Sequence, residues 1–395
     1  MSKVKDQYEA FPYPERDPKD EKKRLITGSP SLPQEIDHFL FGGARDWRQP
    51  LRILVAGGGT GDGLIQLTAL LTQFGKPYEA TYIDLSKASR KIAEARANVR
   101  SLKNIRFVTG SLLNAPDYGP FDYIDCCGVL HHLPDPDAGF SALREAAAPN
   151  GGLGFMVYAP YGRSGVYPLQ EAFGALYGSA TPKEKLKAAQ RLFETLPDGH
   201  PFKSNLNLND HKNGPAGFYD LLLHSQDRAY DVTDLLNTLT RTGWNFSGFT
   251  VPALYDLARW TTPPQDMSEA EAMATAERLI GTIRTHTGYA CTMQTRPATG
   301  QNRALVPHLK GIQAAPLAKA VQQGQKAKIG SDGLTGALDL PPAAARLIAA
   351  IDGRRSLTDI AAATGQDPIS FGAMWSKIEA QLAPWGMLLY SSVSR

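Results

Sequence analysis

The sequence predicts an α/β domain built on a parallel sheet, followed by a smaller helical domain. From residue 51 onward, short apolar runs alternate with amphipathic helical stretches, as in strand–helix–strand units. The apolar runs are continuous, which is expected for parallel strands that are covered on both faces. A glycine-rich turn at residues 53–63, ILVAGGGTGDG, joins the first run to the first helix.

The length and charge of the chain limit the possible classes of protein. At 395 residues it is long for one ordinary domain and suits two or three. Lys plus Arg number 42 against 39 Asp plus Glu, so the net charge is only +3. This balance excludes a uniformly basic nucleic-acid-binding chain and an acidic solvating chain.

The cysteines and the N-terminal segment point to the cellular compartment. Cys126 and Cys127 are adjacent and Cys291 stands alone, so reduced thiols are expected rather than a disulfide framework. The absence of a Cys-x-x-Cys pattern and of a His-rich tract predicts no metal site. Because no long apolar stretch and no secretory segment occur, we expect a soluble, cytoplasmic protein.

The predicted elements follow in chain order. Residues 1–49 form an N-terminal cap segment, in which 32–43 suits a short helix that ends at a glycine pair. Strands are predicted at 51–57, 79–85, 104–110, 121–127 and 151–159, with Ser86 capping the helix that follows the second strand. Residues 160–230 interrupt the alternation with one clear helix, at 182–196, and suit a substrate lid.

The remainder of the chain completes the first domain and forms the second. A helix at 231–243, a strand at 244–255, a helical stretch at 266–286 and a closing strand at 288–296 are predicted. We place the first domain at 50–299 and a small C-terminal domain at 300–395. The latter has three helices with glycine stops, a terminal strand and a capping box at Ser356 and Asp359.

The glycine turn is the strongest chemical motif. Gly57, Gly59 and Gly61 form G-x-G-x-G, which lets the backbone approach an anionic ligand closely. The G-x-G-x-x-G spacing of dinucleotide folds and the lysine of a P-loop are both absent. Asp84 ends the second predicted strand, where a carboxylate can accept both hydroxyls of a ribose. The alternative is an Asp that only satisfies backbone N–H groups at a helix N-terminus.

Two further segments carry a family resemblance, VTGSLLN after the third strand and FDYIDCCGVLHHLPDP at the fourth. With the glycine turn and Asp84, they resemble the class I S-adenosylmethionine-dependent methyltransferases. The resemblance covers residues 50–160 closely and the strand after 240 loosely. It implies a Rossmann-like methyltransferase fold, S-adenosyl-L-methionine as cofactor and methyl transfer (EC 2.1.1.-). YEAFPYP and GVLHHLPDP resemble a bacterial subgroup of unknown substrate.

The resemblance also assigns cofactor-binding positions. It places the glycines of the turn beneath the methionine part, Asp84 on the ribose, and the remaining residues around the adenine and the sulfonium. Val55 and Ser111 depart from the family, which often has an acidic residue at each position. A serine hydroxyl accepts a hydrogen bond from adenine more weakly than a carboxylate does. The predicted cofactor-binding residues are Gly57, Gly58, Gly59, Gly61, Asp84, Leu85, Ser111, Leu112, Cys127 and Gly128.

Residues for the methyl acceptor are predicted around the fourth and fifth strands. His131 and His132 are the candidates for a general base, although histidines here often pack and cap the next helix in this superfamily. Tyrosine rings near them favour a cationic sulfonium, and arginines suit an anionic substrate. The predicted substrate-binding residues are Tyr8, Tyr13, Tyr158, Tyr161, Arg163, Arg228 and Tyr230.

Three functions are compatible with this sequence. The first is methyl transfer to an O, N or S nucleophile on a small molecule or a protein side chain. The second is RNA methylation, because residues 278–331 contain eight Lys and Arg and no acidic residue. The third is a non-catalytic binding or regulatory protein. The C-terminal domain resembles the winged-helix-type regulatory tails of some bacterial protein methyltransferases, and we expect it to dock a partner or dimerise.

Overall fold

The computed structural model describes residues 3–395 and contains a seven-stranded central sheet with the order β3-β2-β1-β4-β5-β7-β6. Neighbouring strands from β3 to β5 are parallel, whereas β7 is antiparallel to both of its neighbours. This is the Rossmann-like methyltransferase fold that the sequence predicts. The sheet strands are β1 Leu51–Ala56, β2 Tyr78–Asp84, β3 Ile105–Thr109, β4 Phe121–Cys127, β5 Ala147–Tyr158, β6 Asn245–Phe249 and β7 Thr285–Cys291.

Helices cover both faces of the sheet. On β1, for example, the side chains of Ile53 and Leu54 point to opposite faces of the sheet, and neither is exposed to solvent. This is expected for a central parallel strand. The helices of the N-terminal segment and the sheet region are α1 Lys3–Ala10, α2 Pro33–Leu40, α3 Asp62–Gln73, α4 Lys87–Val99, α5 Pro136–Ala146, α6 Val166–Tyr177, α7 Pro182–Glu194, α8 Pro201–Ser204, α9 Gly214–Leu222, α10 Val232–Arg241 and α11 Glu269–Ile280.

The last two strands of the sheet differ in detail from the prediction. The predicted strand at 244–255 is extended only over β6, because Pro252 begins a short 3-10 turn and has no N–H to donate to a strand partner. The closing strand starts earlier than predicted, at Thr285, and is inserted between β5 and β6. The helical stretch predicted at 266–286 is correspondingly shorter and ends at Gly281, whose φ is +65°.

The insertion at 160–230 contains four helices, α6 to α9; the helix predicted at 182–196 is α7, and the other three were not predicted. Three of them are hard to recognise in the sequence because they are short or contain glycine and proline near their N-termini. They share a hydrophobic core of their own, built on Val166, Phe173, Phe202, Phe218 and Leu222. This core supports the side chains that the insertion contributes to the site.

The C-terminal region forms a second hydrophobic core around Leu347, Phe371 and Trp375. Its helices are α12 Ala314–Gln322, α13 Ala345–Ala349, α14 Leu357–Thr364 and α15 Pro368–Leu382, and its strands are β8 Val306–Leu309, β9 Ala327–Ser331, β10 Leu334–Leu338 and β11 Leu388–Ser391. The capping box at Ser356 and Asp359 is present. The hairpin of β9 and β10 and the pairing of β8 with β11 were not predicted.

The C-terminal strand is attached to the N-terminal segment. Asp37 Oδ2, on α2, accepts hydrogen bonds from Ser391 Oγ at 2.7 Å and from the backbone N of Ser392 at 2.8 Å. The neighbouring His38 Nδ1 accepts from the backbone N of Tyr390 at 3.1 Å. The domain boundary near residue 300 therefore stays a prediction, since α2 contacts both parts of the chain. None of the helices within residues 3–395 is long and apolar enough to cross a membrane.

Candidate active site

The glycine turn between β1 and α3 is closely packed. Gly57, Gly59 and Gly61 all have positive φ, which favours glycine. A Cβ on Gly57 would lie 2.5 Å from Val129, and one on Gly61 would lie 2.9 Å from Ala93. At Gly58, a Cβ would collide with the ring of Tyr82. The motif thus brings bare backbone to the carboxyl edge of the sheet, with the N-terminus of α3 behind it.

Asp84 is held by this turn and by the start of α4. Its Oδ2 accepts the backbone N–H of Gly59 at 2.8 Å, and its Oδ1 accepts that of Ser86 at 2.7 Å. Burial raises the pKa of the Asp84 carboxyl above its ordinary value, and the two backbone N–H groups oppose that effect. Each carboxylate oxygen keeps a further acceptor position. Ser86 caps α4 as predicted, by accepting from Ser89 N. We call the turn and Asp84 together the glycine edge.

The N-terminal segment covers the glycine edge. Thr60 Oγ1 donates to the carbonyl of Pro14 at 2.7 Å, and Ser86 Oγ donates to that of Tyr8 at 3.2 Å. Arg96 is buried behind the turn, where its guanidinium contacts Asp62 at 2.6 Å and Glu21 at 2.7 Å. These contacts hold residues 8–21 of the segment against the glycine turn and α4.

The other predicted cofactor residues lie along the same edge of the sheet. Leu85 is 37% exposed next to Asp84, Leu112 is buried, and Ser111 Oγ accepts from the backbone N of Leu113 at 3.2 Å. Cys127 is exposed at the end of β4, and Gly128 follows it with φ +77°. These positions follow β2, β3 and β4 in turn, so the sheet brings all the predicted cofactor residues to one edge.

A cluster of buried polar side chains lies beyond β4 and β5. His131 and His132 form a short 3-10 turn after β4, and the ring of Tyr158 at the end of β5 lies 3.9 Å from that of His131, centroid to centroid. His132 stacks on His224 at 3.7 Å. Burial lowers the pKa values of His131 and His224 well below the usual range, so both rings are neutral at pH 7.

Asp220, on α9, joins the N-terminal segment to this cluster. Its Oδ1 accepts from the hydroxyl of Tyr8 at 3.0 Å and its Oδ2 from that of Tyr158 at 3.3 Å. The Tyr8 hydroxyl also lies 3.3 Å from His224 Nε2. Burial raises the pKa of the Asp220 carboxyl, and the same cause raises the pKa values of the two tyrosines.

Arg163 lies between Tyr158 and Asp227 and contacts both. Its guanidinium lies 3.5 Å from the ring centroid of Tyr158 and 3.2 Å from Asp227 Oδ2. Gln170, on α6, donates to the same Asp227 oxygen at 3.0 Å. We call the whole group the histidine cluster. Its members are Tyr8, His131, His132, Tyr158, Arg163, Asp220, His224 and Asp227.

The structure separates the predicted substrate residues into two groups. Tyr8, Tyr158 and Arg163 belong to the histidine cluster, whereas Arg228 is exposed and lies 3.8 Å from Asp234. Tyr230 is fully buried; its ring packs on Phe140 in the main core, and its backbone N donates to the carbonyl of Tyr158 at 2.8 Å.

Tyr13 and Tyr161 lie at the margins of the cluster. Burial raises the pKa of Tyr13, and Asp220 and Arg163 are among the charges that act on it. Tyr161 begins the short turn that contains Arg163. Asp220, His224 and Asp227 were missed because they come from the insertion; the HSQD segment at 224–227 was the available indication.

The basic stretch at 278–331 is not a uniform cationic surface. Half of its eight cations form ion pairs with acidic residues outside it. The pairs are Arg278 with Asp231, Arg284 with Asp332, Lys310 with Glu35, and Lys326 with Asp339. These contacts lower the local positive charge that the sequence alone indicates.

Part of the chain is similar in sequence to known proteins. Residues 54–153 match a family model described as a methyltransferase domain. An uncharacterized protein of Synechococcus sp. is 30% identical over 261 residues, which make up 64% of this chain and 60% of that protein. The chain thus spans less than two thirds of this curated relative.

Two solved structures share the fold. Both are of PKMT2 from Rickettsia typhi, one of them in complex with AdoHcy, with TM-scores of 0.59 for the complex and 0.64 for the other. They are 14% and 15% identical to this chain, cover 92% and 93% of it, and are themselves covered over 76% and 77%. With the strand order, these structures show that the chain has their fold, and residues 54–153 within it are similar to a methyltransferase domain.

Proposed function

We propose that the protein binds S-adenosylmethionine along the glycine edge and transfers its methyl group to a nucleophile held beside the histidine cluster. The observation that carries this proposal is the environment of Asp84. Two backbone N–H groups fix its carboxylate, and both oxygens keep a lone pair that suits the 2′- and 3′-hydroxyls of a ribose.

The residues of the glycine edge fit this cofactor. The turn has no room for side chains where a ligand must approach the backbone. Leu85 offers an exposed apolar side chain for the adenine, and Ser111 keeps a lone pair for its amino group. When bound, the cofactor supplies a methyl group on a positively charged sulfur, which a nucleophile displaces in line.

The histidine cluster would act on the methyl acceptor. In-line displacement depends mainly on position, and a base is needed only when the nucleophile carries a proton. The buried carboxylate of Asp220, whose pKa is raised, and the imidazoles of His131 and His132 are the groups that can take this proton. A small molecule or a single protein side chain is the acceptor that a buried cluster of this kind favours.

The RNA alternative receives less support. It depends on the 278–331 stretch, and half of its cations are already paired with carboxylates. Binding through phosphate contacts would weaken steeply with salt. Association with RNA that is weak and insensitive to salt is therefore the result that we expect.

The test is methyl transfer from labelled S-adenosylmethionine into a cell extract separated into small-molecule, protein and RNA fractions. We expect label in the small-molecule or protein fraction, and none with Asp84→Asn. Glu79→Gln is the matched control, because Glu79 lies on the same strand but is exposed at its opposite end. Cofactor binding without transfer to any fraction would instead support the non-catalytic alternative.

A further inference from the structure

His131, His132 and Asp227 bring three potential metal ligands together. Each offers one ligand atom, and the three atoms lie within 4.8 Å of one another. His131 and His132 come from the turn after β4, while Asp227 comes from the insertion. Two imidazoles and one carboxylate form a donor set that divalent transition metals accept readily.

Three buried polar atoms in this group form no hydrogen bond with the residues that the structure describes. Within residues 3–395, neither nitrogen of His131 has a hydrogen-bond partner, and the residue is fully buried. Oδ1 of Asp227 is also buried and unpartnered in the described part of the chain. Leaving a buried polar atom unsatisfied destabilises a protein, so these atoms indicate a bound group, which would engage one nitrogen of His131 and Oδ1 of Asp227.

Neighbouring groups form hydrogen bonds to two of the proposed ligands, Asp227 and His132, and so fix their orientation. Arg163 and Gln170 both donate to Oδ2 of Asp227, at 3.2 Å and 3.0 Å, and so fix the carboxylate. His132 Nδ1 lies 3.0 Å from the carbonyl of Gln226. Metal-binding histidines typically donate their second N–H to a carbonyl or carboxylate in this way, which orients the ring.

A second group of candidate ligands, His132, Asp220 and His224, lies next to the first. It is less suitable because His224 Nδ1 accepts the backbone N–H of Gln226 at 3.1 Å. The ring proton must then be on Nε2, which removes that nitrogen as a ligand. Asp220 in turn accepts from two tyrosine hydroxyls. It supplies negative charge near a cation without acting as a ligand.

We propose that His131, His132 and Asp227 form a binding site for one divalent transition-metal ion. Three protein ligands leave a further position for water or for a donor atom of the methyl acceptor. When the ion is bound, His131 and His132 act as ligands, and Asp220 is the group of the cluster that can take a proton from the acceptor. The ion would bring positive charge to a buried region in which Arg163 pairs with Asp227 and Asp220 is held by hydroxyl groups. None of the three proposed ligands belongs to the glycine edge, so metal binding can be tested without S-adenosylmethionine.

The experiment is a titration of the full-length, chelator-treated protein with Zn²⁺, followed by calorimetry and by thermal unfolding. We expect one equivalent to bind with a Kd of about 1 µM or lower and to raise Tm. His131→Leu and Asp227→Asn should each weaken binding by at least about 100-fold. His308→Leu is the matched control, a buried histidine on β8 with an unpartnered Nε2 in the described chain; it should bind as the wild type does.

Two results would overturn the site. One is a folded wild-type protein that takes up no Zn²⁺, and the other is Zn²⁺ binding that survives both ligand substitutions. If the variants fail to fold, a Co²⁺ titration of the wild type decides the matter. A four-coordinate site gives intense visible absorption bands, whereas the weak spectrum of the hydrated ion would contradict the proposal.

Discussion

At the glycine edge the polar groups form hydrogen bonds with one another. In the histidine cluster, by contrast, three buried polar atoms have no hydrogen-bond partner among the residues that the structure describes. Asp84 is fixed by two backbone N–H groups, and Arg96 connects the turn to the N-terminal segment. His131, in contrast, makes no hydrogen bond through its ring within residues 3–395. The polar groups of the first region are satisfied without a ligand, whereas several of those in the second are not.

This difference predicts opposite effects of substitution on stability. Removing a partner at the glycine edge leaves another buried group uncompensated, which destabilises the fold. Removing an unpartnered group from the histidine cluster relieves an existing penalty. Residues that are kept for function at the expense of stability are expected in a binding site.

The largest effect is expected at Arg96. Arg96→Met removes the cation that lies between Asp62 and the buried Glu21, which keep only Arg16 and Arg100, respectively, as partners. The free energy of unfolding should fall by about 4 kcal/mol, as measured by urea denaturation. Arg90→Met removes a partly exposed pair with Glu94 and should change the free energy of unfolding by less than about 0.5 kcal/mol. Equal effects of the two substitutions would contradict this account.

The next effect is expected at Gly57. Gly57→Ala introduces a Cβ 2.5 Å from Val129 at a φ of +66°, so both strain and overpacking destabilise the fold, by about 3 kcal/mol together. Gly75→Ala provides the control, because Gly75 has the same φ and nothing within 4 Å of its Cβ position. It should lose only about 1 kcal/mol. The same denaturation curves measure both, and similar losses would show that the close packing of Gly57 against Val129 does not contribute to stability.

A smaller effect, of opposite sign, is expected at His131. In the metal-free protein, His131→Leu removes two unpartnered ring nitrogens from a fully buried position. We expect the free energy of unfolding to rise by about 1 kcal/mol while methyl transfer is lost. A loss of stability as large as that of Arg96→Met would mean that the imidazole has a structural partner, and the contrast between the regions would fail.

The smallest effect is expected at Ser111. Its hydroxyl caps the 3-10 turn after β3, and the family resemblance puts it beside the adenine. Ser111→Ala should weaken cofactor binding about fivefold, and Ser111→Asp should tighten it, because a charged acceptor forms the stronger hydrogen bond. Calorimetric titration checks both. Identical affinities in all three proteins would remove Ser111 from the site.

The sequence predicted the glycine edge better than the histidine cluster, for a physical reason. The edge consists of consecutive residues whose backbone conformation is encoded locally by glycine, and Asp84 ends a strand that parallel pairing brings beside it. Strands β1 to β5 were likewise evident from their continuous apolar residues. Local sequence is sufficient where the structure is local.

The cluster depends instead on tertiary packing. Tyr8, Tyr158 and Asp220 come from the N-terminal helix, the end of β5 and α9, and only the fold of the insertion brings them together. That insertion was predicted with one helix rather than four, so Asp220, His224 and Asp227 had no predicted position. The hairpin of β9 and β10 was missed for a similar reason, since its short strands are half-exposed.

The most direct test of the account is a calorimetric titration of S-adenosylmethionine into wild type, Asp84→Asn and Glu79→Gln. We predict binding by wild type and Glu79→Gln. Asp84→Asn should bind about 100-fold more weakly, because an amide presents N–H where the carboxylate accepts from the backbone and from the ribose. Absence of binding by the folded wild type, or equal affinity in Asp84→Asn, would contradict the claim that the glycine edge holds the cofactor.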